Sequence, residues 1–261
     1  MYYLRLIQRF IKLNIQMSLA YRADTWINMA LNLLWIGWEL LGLSIIFNNT
    51  DTLGGWGPGE LVALLGVWRL VNTFMMVIVW PNTEKFNASV RDGSMDYTLL
   101  QPVDSMFITS FSRITIWRLW DLLLAIILIV VGINMAGDIA TASSIATFLL
   151  LILSGTLVIY SLWIVLIAFT FWFTKFDNNV TIMQALMDAG RYPVTVYPVW
   201  LQIIVTYLIP IALATSIPLQ ALRGELGLQQ VAIFLGVGIV SFVVATRVWK
   251  MGVRQYSSAS S

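Results

Sequence analysis

Apolar residues fall in long blocks along this chain, separated by short polar stretches. Crossing a hydrocarbon core of about 30 Å takes roughly 20 apolar residues, and six blocks come near that length. They are Thr25 to Phe47, Glu60 to Trp80, Ile114 to Ile133, Ser144 to Thr174, Val199 to Ile217 and Gln229 to Trp249. Ahead of them, Tyr2 to Arg22 places Leu4, Ile7, Ile11, Ile15 and Leu19 on one helical stripe, with Arg5, Gln8, Arg9, Lys12 and Gln16 largely elsewhere. That pattern predicts an interfacial amphipathic helix over residues 1–24, its basic face toward anionic headgroups and Asp24 at the turn into the membrane. The predicted fold class is an all-α polytopic membrane protein, a single transmembrane domain over residues 1–261 with six transmembrane helices.

The longest polar interruption runs from Pro81 to Ser105. Asn82 to Val90 can continue the helix of the block before it, and Asp92-Gly93 supplies the left-handed residue that commonly ends one. Ser94 then offers an N-cap hydroxyl, Asp96 sets a carboxylate against the helix dipole, and Pro102 stops a second helix after about two turns. Met95, Leu99 and Leu100 are predicted to form an apolar knob flanked by Asp92, Asp96 and Asp104, outside the bilayer where a soluble protein can grip it.

Charge sets the sidedness. Loops Asn48 to Gly59 and Asn134 to Ser143 contain no Lys or Arg, so both are expected outside. Lys85, Arg91, Arg113, Lys175, Arg191, Lys250 and Arg254 are expected inside with the amino-terminal helix, which puts both termini in the cytoplasm and leaves Arg223 alone in an external loop. Phe176 to Trp200 mixes Asp177, Asn178, Asn179, Asp188 and Arg191 with apolar residues, then carries Pro193 and Pro198. We expect an interfacial or partly inserted helix here, followed by a crossing at Val199 to Ile217. In the alternative, Asn178 to Tyr197 crosses and the Pro-punctuated stretch after it is re-entrant, which requires protein or water to satisfy its backbone.

Composition agrees with the pattern: 59% of residues are hydrophobic and 11% charged, against roughly 25% charged in a soluble domain. A net charge of +2 is too small to suggest nucleic acid. With no cysteine and no histidine, disulfides, thiolate nucleophiles, Ser-His catalysis and His-ligated zinc are excluded. A phosphate-binding loop needs Lys followed by Ser or Thr, yet Lys12, Lys85, Lys175 and Lys250 precede Leu, Phe, Phe and Met. Arg91-Asp92-Gly93 with Asp96 lacks the further spaced aspartates of a metal-dependent headgroup transferase, so no enzymatic site is predicted.

Charge inside a membrane is costly and calls for a partner. Glu39 lies eight residues before the outer end of the first block and Arg69 nine after the outer start of the second. At about 1.5 Å per residue both sit roughly 12 to 14 Å from the outer surface, so they are predicted to pair, as a structural lock or as a substrate-contacting or gating element. Arg118 and Asp121, three apart, are expected to pair or snorkel near the inner end of the third block.

An amphipathic helix, two crossings, the stretch Val90-Arg91-Asp92-Gly93-Ser94-Met95-Asp96 followed by Leu99-Leu100 and Pro102, and four more crossings with Phe171-Trp172 and Arg191-Tyr192-Pro193 together resemble ABC-2 type transporter permeases. The resemblance covers essentially the whole chain and rests on the order of its parts. It implies the membrane subunit of an ATP-driven exporter in a bacterial or archaeal plasma membrane, working with a second permease and a dimer of separate ATPase subunits. Ser94 to Gln101 would be a coupling helix, with Arg91 to Asp96, Leu99 and Leu100 at the contact and Met95, Leu99 and Leu100 docking. No cofactor is expected on this chain, ATP and Mg²⁺ belonging to the partner. A secondary carrier or assembly factor not driven by ATP is the alternative.

Overall fold

The computed structural model describes residues 2–20, 22–137, 140–173 and 178–256. The expectations for Lys175, for Asp177 and for the side chains of Leu19 and Asp24 lie outside the described residues. Among the described residues every regular element is helical, apart from an isolated bridge between Leu53 and Trp56. Two helices come first, α1 (Tyr2–Ala20) and α2 (Arg22–Phe47). The Leu53–Trp56 turn follows, with Gly54 and Gly55 both at positive φ, where a side chain would be strained.

Pro58 then opens a helical run of 34 residues to Arg91. The Glu60 carboxylate accepts the Gly57 N–H at 2.7 Å and so caps its start. At about 1.5 Å per residue the run measures roughly 50 Å, longer than the hydrocarbon core, so one end must project beyond it. It comprises α3 (Pro58–Phe74), one π turn at Met75–Val79, and α4 (Trp80–Arg91). Pro81 accounts for the irregularity. It has no N–H to offer the carbonyl of Val77, which instead accepts the N–H of Thr115 at 2.9 Å. Asn82 secures the same junction, donating to the carbonyls of Ser110 at 2.9 Å and Arg113 at 2.7 Å.

Gly93, at φ +77°, ends this run as the Asp-Gly pair predicts. Two short helices follow, α5 (Met95–Leu99) and α6 (Ser105–Phe111). The second is unannounced by the sequence pattern, and Asp104 caps it by accepting the Phe107 N–H at 2.9 Å. A 3₁₀ turn at Ile116–Leu119 leads into α7 (Trp120–Ala136), and Thr141 and Ser144 cap α8 (Ala142–Ala168) reciprocally.

Close backbone approach holds the bundle together. Helices α3 and α7 run antiparallel with Gly59, Ala63 and Gly66 against Ala136, Gly132 and Ile129. A Cβ added to Gly132 would lie 2.2 Å from the Ala63 nitrogen. In hydrocarbon, association depends on such packing and on hydrogen bonds, because lipid tails are as apolar as leucine. Trp163, Ile164, Ile167 and Leu64 sit at the centre of the main core.

The region after α8 departs from expectation. Val199–Ile217 is not one crossing helix. It breaks into α10 (Val199–Ile203), a π turn at Ile204–Leu208, a bend at Pro210, a 3₁₀ turn at Ile211–Ala214, and then α11 (Ser216–Leu222). Before it stands α9 (Asn179–Ala189). Asn179 exchanges two 3.0 Å hydrogen bonds with Asn87 of α4, the Met187 carbonyl accepts from Trp68 Nε1 at 2.7 Å, and Thr195 donates to the Gly54 carbonyl at 2.7 Å. Residues 179–195 therefore travel from the Gly93 end of the bundle to the Gly54 end. Residues 198–222 then leave and return at the Gly54 end, since Arg223 meets Glu60 at 2.6 Å. This matches the alternative weighed for the stretch, not the favoured assignment. Its irregular backbone is tolerated because Ile211 to Thr215 are buried against α8, where a Cβ on Gly155 would lie 2.5 Å from Ala214. The final helix, α12 (Leu228–Gln255), packs on α8 through Ser154, whose hydroxyl donates to the Phe234 carbonyl at 2.9 Å.

Candidate functional site

Two places gather the residues singled out from the sequence. At the Gly93 end, Asp92 rather than Ser94 caps the turn: its carboxylate accepts the Ser94 N–H at 2.9 Å, and the Ser94 hydroxyl makes no capping bond. Hydrogen bonds from Ser94, the side chain foremost, hold the Asp92 carboxyl below its ordinary range. Helix α5 is shorter than predicted and stops before Gln101 and Pro102. The expected knob is also rearranged. Met95 is only 1% exposed and packs into the main core with Phe86, Val90 and Met106, so it presents no surface. Leu99 is half-buried against the same core, while Leu100 at 82% and Tyr97 at 74% stand out. A five-residue helix exposes only one narrow face, and Met95 anchors the other. Arg91 is exposed beside it. Tyr256, just past α12, reaches this end too; burial first and the nearby Asp96 carboxylate second push its phenol above the ordinary value.

The second place lies between α2, α3, α7 and α9. Glu39 and Arg69 meet as their depths predict, with Glu39 Oε2 accepting from Arg69 Nη2 at 2.5 Å and Nε at 3.0 Å; both side chains are about 90% buried, at 8% and 10% exposure. The other oxygen, Oε1, takes Arg191 Nη2 at 2.5 Å. Arg191 is therefore not grouped with Arg91 and Lys250 at the Gly93 end, as sidedness alone suggests. It rides on the stretch after α9 into the same layer as Glu39, its guanidinium 5.4 Å from the Trp68 ring. Arg69 Nη1 donates to Asn32 at 2.9 Å, the Asn32 amide donates to Asp121, and Asp121 lies 3.8 Å from Arg118. A continuous polar seam thus runs from Arg118 to Arg191 along one stripe of α2.

Sequence reasoning found the Glu39–Arg69 and Arg118–Asp121 pairs but missed that Asn32 joins them. The signal is present, since Asn28, Asn32 and Glu39 recur at helical spacing on a largely apolar α2. Among the described residues no group of acidic side chains could hold a metal ion.

Long apolar helices, five of them among the described residues long enough to span a bilayer, with a charged seam enclosed among them, define a multi-pass membrane protein. Residues 33–260 match the family model described as ABC-2 family transporter protein, and the chain belongs to that family of transporter permeases. Members are membrane components, in general not catalytic themselves and partnered by an ABC ATPase. Comparison with curated proteins and with solved structures finds no match.

Proposed function

We propose that this chain is one permease of an ATP-driven exporter in a bacterial or archaeal plasma membrane, with its Gly93 end in the cytoplasm. It pairs with a second permease, related or identical, and with a dimer of ATPase subunits that bind ATP and Mg²⁺. The fifth of its six crossings is made by α9 and the residues up to Tyr197, and α1 lies in the cytoplasmic interface. Closure of the ATPase dimer moves the α5 segments of both permeases and shifts the pair between inward-facing and outward-facing packings.

The observation that best supports this reading is the construction of α5. Met95 fastens it to the core cluster that also contains Phe171 and Trp249, while Tyr97 on it and Leu100 just past its end stand exposed. A push on that surface is carried into the bundle by packed side chains, which a loose loop could not do. The test is copurification in mild detergent. The native permease should bring an ATPase with it, and Leu100→Asp should abolish this while leaving the permease folded, because a carboxylate forced into an apolar groove is desolvated without a partner. Undiminished ATPase recovery with Leu100→Asp and with Tyr97→Ala would remove α5 as the coupling element.

A further inference from the structure

The arginines of the polar seam are not equally paired. Three guanidiniums, Arg69, Arg191 and Arg118, meet Glu39 and Asp121, and Arg191 also has Asp188 nearby, so the cationic excess falls at the Arg118 end, where Asp121 stands near both Arg118 and Arg69. Arg69 is fully engaged by Glu39 and Asn32, and Arg191 by the second oxygen of Glu39. Arg118 is held most weakly: Asp121 is 3.8 Å away and already accepts from Asn32, and the Arg118 side chain keeps 29% exposure, stacked on Trp117 at 4.6 Å.

A cleft of 280 Å³ opens beside it, lined by Arg118, Asn28, Asn72, Trp68 and the paired Arg69 and Glu39, whose carboxylate is already bonded to two arginines. Pockets for whole small molecules start at roughly 300 Å³, so this cleft suits a headgroup whose remainder lies elsewhere. The place for that remainder is visible. Leu31 and Trp35 edge the cleft yet are 48% and 63% exposed, and with Leu34 and Trp38 they form the apolar outer surface of α2.

We propose that the cleft between α2, α3 and the start of α7 binds the anionic headgroup, phosphate or carboxylate, of an amphiphile whose apolar part lies along the outer face of α2. The Arg118 fork presents paired donors to two oxygens, the Asn72 amide adds a neutral donor, and a negative charge placed there gives Arg118 the close partner it lacks. Binding of this kind needs no ATPase, so it stands or falls separately from the coupling assignment.

The experiment titrates the purified permease in uncharged detergent with phosphatidylglycerol, phosphatidylcholine and inorganic phosphate, counting retained molecules by native mass spectrometry. Phosphatidylglycerol should be held in preference to phosphatidylcholine. Arg118→Gln should weaken it about tenfold, the consequence of losing one charge-assisted contact of roughly 1.5 kcal/mol. Asn72→Leu should weaken it less, and Arg223→Gln at the Gly54 end, where the guanidinium is already paired with Glu60, should leave it unchanged. Should Arg118→Gln fail to fold, Arg118→Lys decides, since it keeps the charge but loses the fork and should retain the lipid several-fold less well. Equal retention of both lipids, indifference to both Arg118 variants, or an equal loss with Arg223→Gln would each overturn the site. Displacement of the lipid by equimolar inorganic phosphate would assign the cleft to a soluble anion and overturn the amphiphile.

Discussion

Glu39 is shared by two arginines, and that sharing makes an unequal set of mutational costs. Removing one partner of a buried ion pair typically destabilises by about 3 to 5 kcal/mol, because the other charge is left desolvated and alone. Glu39→Gln strands both Arg69, whose side chain is 10% exposed, and Arg191, at 32%. It should fall in that full range. Arg69→Gln leaves Glu39 still bonded to Arg191 at 2.5 Å, so its cost should be roughly half as large. The double variant Glu39→Gln/Arg69→Gln takes Glu39 only from Arg191, and a long side chain with one third of its surface open and Asp188 nearby can turn its head toward water. The double loss should therefore fall short of the sum by about 1 to 3 kcal/mol, the usual coupling of residues in one network. Equilibrium unfolding in mixed micelles, followed by tryptophan fluorescence, measures all three. Losses that add within about 0.5 kcal/mol would show no coupling, and equal costs for the two single variants would refute the shared carboxylate.

Other outcomes can be checked independently. Val196→Cys should react with an impermeant thiol reagent from the same side as Thr52→Cys and not from the side of Ser94→Cys; reaction with Ser94→Cys would restore the interfacial placement of residues 178–197. Gly132→Leu should prevent folding, since even a Cβ there comes 2.2 Å from the Ala63 nitrogen, and a normal melting profile would exclude the close α3–α7 approach. Met95→Ala should destabilise by about 2 to 5 kcal/mol as a core truncation, whereas Leu100→Ala should stay within about 0.5 kcal/mol; reversed magnitudes in thermal unfolding would show that Met95 faces out. Because the folded carboxyl of Asp92 titrates below its ordinary value, its contribution is present above pH about 4 and is lost as pH falls through the folded value, so Asp92→Asn should flatten the acid limb of the stability profile.

Helix positions could be read from the chain wherever one physical signal dominated. Apolar length located α2, α3, α7, α8 and α12, and Asp92-Gly93 marked the end of α4, because each depends on local chemistry alone. The depth argument paired Glu39 with Arg69 for the same reason: rise per residue is constant. Arg191 resisted because its position depends on which of two neighbouring stretches crosses. Residues 179–195 carry polar groups that look interfacial until their partners are known: Asn179 is answered by Asn87 and Arg191 by Glu39. Conversely, Val199–Ile217 is apolar enough to span, yet Pro210 and the close packing of Ile211 to Thr215 on Gly155 turn it back. Met95 was misjudged on periodicity, since a five-residue helix has too few positions to say which side meets the core.

The polar stripe of α2 has a consequence for how that helix is held. Ile36 is its one buried apolar residue among those described, and its apolar outer face would gain nothing by leaving hydrocarbon for protein. What distinguishes its seated position from any other in the bilayer is therefore the set of bonds from Asn32 and Glu39 to Arg69, Asp121 and Arg191, with the small cluster of Ile36, Val62, Leu65, Trp68 and Leu128 beneath. Polar contacts enclosed in a low-dielectric layer are strong when satisfied and costly when broken, so α2 has a sharply defined seat. Any rearrangement that moves α9 must carry Arg191 with it, and Arg191 holds the same carboxylate that fixes α2 to α3. Two helices far apart in sequence are thus tied through one side chain, and the arrangement of Glu39 between its arginines is the point at which motion of either is felt by the other.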